Sequence, residues 1–89
     1  MRQTREELKP KTPFKRGIYR HSKSGALYHA AAIGRHSETL EEFVIYYESN
    51  LNGKILKAPL WWIRPVANFF KEVEIDGKMV PRFTLEHGL

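Results

Sequence analysis

Leu40-Glu41-Glu42-Phe43-Val44-Ile45-Tyr46-Tyr47-Glu48-Ser49-Asn50-Leu51 can be read in two ways, and the choice between them sets the fold. Leu40, Phe43, Val44, Tyr47 and Leu51 fall at i, i+3, i+4, i+7 and i+11, the apolar stripe of an amphipathic helix. Ser37 or Thr39 is placed to cap such a helix and Gly53 to end it. The centre of the stretch, Phe43 to Tyr47, is equally a run of β-branched and aromatic residues. These lose side-chain freedom in a helix and fit the pleated surface of a sheet. On periodicity alone the two readings balance.

Immediately upstream lies a polar, ionisable segment, Gly34 to Glu42, between the apolar runs Leu27–Ile33 and Phe43–Tyr47. It gathers an imidazole, two hydroxyls and a carboxylate between His36 and Thr39. A loop so placed is where a small domain keeps its recognition chemistry. Further back, Gly17 to His21 reads as a short strand, and Ser22-Lys23-Ser24-Gly25 has turn composition. Ala26 to Arg35 then returns as a longer strand. Ala30, Ala31 and Ala32 would admit a bulky neighbour, and Gly34 would admit a bulge. Residues 1–13, broken by Pro10 and Pro13, read as a flexible arm.

Downstream, residues 49–54 form a turn-rich loop and Leu60 to Ile63 a short apolar strand. Trp61 and Trp62 would occupy opposite faces of that strand, one in the core and one exposed. Pro65 followed by Val66, Phe69, Phe70 and Val73 at i, i+3, i+4 and i+7 predicts one or two helical turns. Asp76-Gly77 between Glu72–Ile75 and Met79–Val80 is the strongest hairpin signal in the chain, and Pro81 places that last strand at an edge or ends it soon after. Residues 85–89 read as a tail, leaving one domain over residues 14–84.

Composition narrows the function. At 89 residues the chain has one small core to build, and eleven aromatic side chains supply its bulk. The absence of cysteine excludes a disulfide framework and a thiolate zinc site. The charged amino terminus has no apolar stretch behind it and no run approaches the ~20 residues of a membrane span, so a soluble, cytoplasmic protein is expected. Residues 1–23 carry eight Lys/Arg against two Glu, whereas the other 66 carry seven against eight Asp/Glu. The basic character thus belongs to the arm and first strand, where it suits phosphate contacts.

Tyr19-Arg20-His21, Tyr28, Arg35-His36-Ser37-Glu38-Thr39, Trp62-Ile63-Arg64-Pro65 with Phe69, and Pro81-Arg82-Phe83 together resemble a small bacterial family, the domain of unknown function 1653. The resemblance spans Gly17 to Phe83. It implies a mainly β protein, a small SH3-like barrel of about five to six short strands with one helical turn before the carboxy-terminal hairpin. It also implies that Phe43–Tyr47 is a strand. It brings no established activity. The loop from Ser49 to Pro59 is longer than the family pattern, and the arm before Gly17 is extra.

The ligand-binding candidates are Arg20, His21, Arg35, His36, Ser37, Glu38, Thr39, Trp62 and Arg64. Arginine suits bidentate recognition of phosphate or carboxylate, with Ser37 and Thr39 as further donors. The same residues also read as structure: Glu38 paired with an arginine, and His36, Ser37 and Thr39 satisfying the loop backbone. A weaker, catalytic reading uses His36 as general base and Glu38 to orient it. His21, His29, His36 and His87 lack zinc spacing, so no metal is expected, and no motif calls for a cofactor. The sequence therefore points first to a binding module for nucleic acid or another phosphate-bearing ligand. The runner-up is a protein-interaction module, or a homodimer, using an exposed Trp and a strand edge. A small enzyme ranks third.

Overall fold

Phe43–Tyr47 is extended. In a computed structural model, which describes residues 9–49 and 59–89, it forms the body of a strand between two neighbours. The physical reason is burial on both faces. A helix would have turned Ile45 and Tyr46 away from its apolar stripe, whereas the strand places Val44 and Tyr46 on one covered face and Tyr47 on the other.

The described residues form seven strands and one helical turn in chain order: β1 (Gly17–His21), β2 (Leu27–Arg35), β3 (Glu42–Glu48), β4 (Trp61–Pro65), α1 (Val66–Phe69), β5 (Glu72–Ile75), β6 (Lys78–Pro81) and β7 (Phe83–Gly88). A five-stranded antiparallel sheet has the order β4-β3-β2-β1-β7, and β5 and β6 pair separately. The expected SH3-like barrel is not closed, because β4 and β7 end the order and do not pair with each other. Part of the chain between them, α1, is spent on covering a sheet face.

The core lies on that face. Tyr19, Ala30, Val44, Tyr46, Phe69 and Phe83 are buried together, with Phe14, Tyr28, Ile33, Val66 and Leu85 packed around them. Phe69, delivered by α1, stacks flat on Phe83 at 4.2 Å, and Tyr19 and Tyr46 meet it edge-on at 5.5 and 5.6 Å. One row across the sheet is Gly88, Gly17, Ala30, Tyr46 and Trp62. Ala30, the small residue paired with Tyr46, is fully buried beside it in the core. The next row, His87, Ile18, His29, Tyr47 and Trp61, faces the other way and is buried at Ile18, His29 and Tyr47.

Several sequence expectations need correction. Residues 85–88 are not a tail but pair with β1 in β7, where Leu85 packs on the core. The bulge falls between Ala30 and Ala32 rather than at Gly34. Trp61 and Trp62 do point to opposite faces, yet neither is core: they are 53% and 48% exposed on the end strand β4. Asp76 and Gly77 both have positive φ, as the predicted two-residue hairpin turn requires. The loop expected over residues 49–59 lies mostly outside the described residues.

Gly17 is the position where β7 passes closest. A Cβ there would sit 2.3 Å from the His87 carbonyl oxygen, a backbone atom that cannot rotate away. Gly17→Ala is therefore expected to lift β7 from β1 and cost about 2 kcal/mol, the usual scale for overpacking. Chemical denaturation measures the loss, and amide exchange should quicken first in residues 85–88.

Candidate functional site

The nine candidate residues separate into three places. The first is the β2–β3 turn, which holds Arg35, His36, Ser37, Glu38 and Thr39. The hydrogen bonds of its His36 and Thr39 side chains are local. His36 Nδ1 accepts the N–H groups of Glu38 and Thr39 at 3.1 and 3.2 Å, Thr39 Oγ1 accepts the Glu41 N–H at 3.2 Å, and Leu40 closes the loop at a φ of 65°. With Nδ1 used as an acceptor, the proton of a neutral His36 ring sits on Nε2. A general base would need that nitrogen unprotonated, and Glu38 meets the ring through its backbone N–H rather than its carboxylate.

Beside this turn is a cleft of about 360 Å³ lined by Pro10, Arg35, His36, Ser37 and Glu42 among others. One wall is the chain expected to be a flexible arm. Residues 9–12 are instead tied down by Glu42, whose carboxylate accepts the Lys11 N–H at 2.7 Å, the Thr12 N–H at 2.9 Å and the Thr12 hydroxyl at 2.6 Å. Arg35 Nη2 reaches both Glu42, at 3.1 Å, and the Lys9 carbonyl, at 2.9 Å. The Thr12 hydroxyl, the Lys11 N–H and Arg35 hold the Glu42 carboxyl down at about 2. Sequence reasoning missed this clasp because its halves lie 30 residues apart with no motif joining them.

The second place is the exposed end of β1. Arg20 donates to Glu86 through Nε and to the Gly25 carbonyl through Nη1 at 2.9 Å, so its charge is neutralised by the strand alongside.

The third place is the core face, and there His21 and Arg64 come together. Arg64, in register with Val44, donates from Nε to the Tyr46 hydroxyl at 3.1 Å and from Nη1 to Asn68 Oδ1 at 2.6 Å. Its guanidinium lies 5.7 Å from the centre of the Phe83 ring. The His21 ring packs edge-on against Phe83 at 5.0 Å and Tyr28 at 6.4 Å. Burial, then the charges of Arg64, Arg82 and Lys23, push the His21 imidazole below its ordinary value. Arg82 Nε is itself buried without a partner among the described residues. Trp62 shares this face, opposite Tyr46 and two residues from Arg64. His21 and His36 stand at opposite ends of β2. His36 and Arg64 share no hydrogen-bonding partner among the described residues.

Ion pairing distinguishes the three arginines. Arg20 has Glu86 and Arg35 has Glu42, while Arg64 is held only by neutral oxygens among the described residues. Glu38, expected to pair with an arginine, forms no ion pair among those residues. Among them, too, no three His, Asp or Glu side chains cluster as a metal site, and no helix is long and apolar enough to cross a membrane.

A family model described as a protein of unknown function, DUF1653, matches residues 17–85. The chain belongs to that family. A crystal structure of a DUF1653 protein from Bordetella bronchiseptica is similar, with a TM-score of 0.68 and 28% identity over 85% of this chain and 91% of that one. No curated protein matches. The DUF1653 match takes in β1 to β6, the start of β7, α1 and the Arg64 cluster, and it leaves residues 9–12 of the clasp outside.

Glu42→Gln is expected to cost about 2 kcal/mol, the scale of hydrogen bonds to a charged group, and to deprotect the Lys11 and Thr12 amides. The pH dependence has a definite sign. Glu42 binds its proton less readily folded than unfolded, so its stabilisation is complete above the ordinary value of 4.5 and is lost as pH falls from there through about 2. Denaturation midpoints measured from pH 6 to pH 2 should fall less steeply in the variant.

Proposed function

We propose that this DUF1653 domain is a binding module for a phosphate-bearing ligand, nucleic acid included, and that Arg64 is its centre. The observation carrying this reading is that Arg64 is fixed in place by Tyr46, Asn68 and Phe83, with no carboxylate among the described residues paired to it. Fixing a guanidinium with neutral acceptors preorganises it and leaves its charge for a ligand. Arg82 and Lys23 act on the same neighbourhood, as the lowered His21 shows. A bound anion would favour the charged imidazole, so affinity for oligothymidine, whose phosphodiesters stay ionised, should rise as pH falls below the ordinary histidine value of 6.5.

The reading places the ligand on His21, Trp62 and Arg64, with Arg20 and Arg35 serving as structural ion pairs. It includes no reaction, since His36 spends its acceptor nitrogen inside the turn. Calorimetric titration with tripolyphosphate and a single-stranded oligothymidine, repeated from low to moderate salt, tests it. Binding should weaken as salt rises. Arg64→Gln should weaken it by roughly 10- to 100-fold, the worth of one charge-assisted contact, and Arg20→Gln by about twofold or less. Affinities insensitive to salt and to Arg64→Gln would refute the proposal.

A second reading is favoured by one observation. Leu60, Trp61, Trp62 and Ile63 are consecutive, large, apolar and exposed, and all but Leu60 belong to the end strand β4. Such an edge invites strand pairing, most simply with a second copy. Sedimentation should then show reversible dimers that Ile63→Lys abolishes. A wild-type chain that stays monomeric at high concentration would dismiss this reading.

A further inference from the structure

We propose that Trp62 and Arg64 together hold a nucleotide, its base stacked on the indole and its phosphate on the guanidinium; this rests on the phosphate-binding reading above. Trp62 lies on the face that carries the core, opposite Tyr46, and yet remains 48% exposed. Phe83 and Tyr46 are covered by Phe69 of α1, while that cover stops short of Trp62. A large, flat, half-open aromatic surface therefore adjoins the one described arginine of the cluster whose hydrogen bonds go to neutral oxygens.

The two side chains are spaced for one small ligand. Residues i and i+2 of a strand share a face and stand about 6.6 Å apart along it. The site is also polar along that line. Arg64 lies in the row of Val44 and Trp62 in the row of Tyr46, and Glu48, paired with Tyr28, lies one row further on. Burial, then Glu48, raises the Tyr28 hydroxyl and Arg64 lowers it, and the register sets Glu48 and Arg64 on opposite sides of the Tyr46–Trp62 row. An anion belongs at the Arg64 end and an uncharged ring in the middle. Nucleotides combine those two parts, and aromatic stacking of bases is tolerant of their identity. The ligand could arrive as a free mononucleotide or as part of a single strand.

Fluorescence and calorimetric titrations of the full chain with pyrophosphate, AMP and a ten-residue oligothymidine separate these contributions. The base-bearing probes should bind more tightly than pyrophosphate and quench Trp62 emission, read in a Trp61→Phe background. Trp62→Ala should weaken AMP and oligothymidine roughly 5- to 150-fold, the range for one stacked base, and leave pyrophosphate unchanged. Trp62→Phe, which keeps a ring, should retain most of the affinity and excludes misfolding as the cause. Oligothymidine binding tighter than AMP would support a strand as the source, and equal binding a free nucleotide. Pyrophosphate binding as tightly as AMP, or Trp62→Ala leaving every affinity intact, would overturn the stacking while sparing the phosphate site. Failure of all three probes to bind would overturn both.

Discussion

The structure depends on Phe69 lying flat against Phe83. An open antiparallel sheet has a face that must be shielded from water, and the described residues include one helical turn that does so. A turn of four residues buries little by itself, so nearly all of its contribution comes through one aromatic ring. Phe69 is fully buried, and Tyr19, Tyr46 and Phe83 surround it from β1, β3 and β7. Those strands include the last one in the chain, so the core is complete only after residue 83 has been placed.

The same arrangement explains why Arg64 stands where it does. Pro65 ends β4 and opens α1, and the helical turn carries Asn68 and Phe69 on consecutive residues. Asn68 holds the Arg64 guanidinium while Phe69 holds Phe83, whose ring lies under that guanidinium. A hydrophobic anchor and a charge are therefore set by one structural decision. Disturbing the aromatic stack would misplace the charge as well.

Much of this was legible in the sequence, for identifiable reasons. Asp76-Gly77, the Pro65 turn and the strand at Gly17 are local signals, and local signals survive folding. Residues 40–51 were undecidable from periodicity, because a strand buried on both faces reads like a helix with a broad stripe. Leu85 to Gly88 looked like a tail because their partner, β1, lies more than 60 residues earlier. The site shows the same division. His21 and Arg64 were named, but Tyr28, Asn68 and Phe83 join them only through sheet register and α1. The His-Ser-Glu-Thr block, the most conspicuous chemical motif, hydrogen-bonds within its own turn through His36 and Thr39.

The Glu42 clasp has a consequence for how the segment before β1 can vary. Two of its three hydrogen bonds to residues 11 and 12 are donated by main-chain N–H groups, and Pro10 and Pro13 stiffen the chain on either side. Recognition of this kind is blind to side-chain identity at position 11. Lys11 can be exchanged for almost any residue without loosening the strap, with proline the exception because it has no N–H to give. The positive charges along this stretch are accordingly free to be tuned by evolution or by engineering, independently of the anchoring that keeps them beside the sheet.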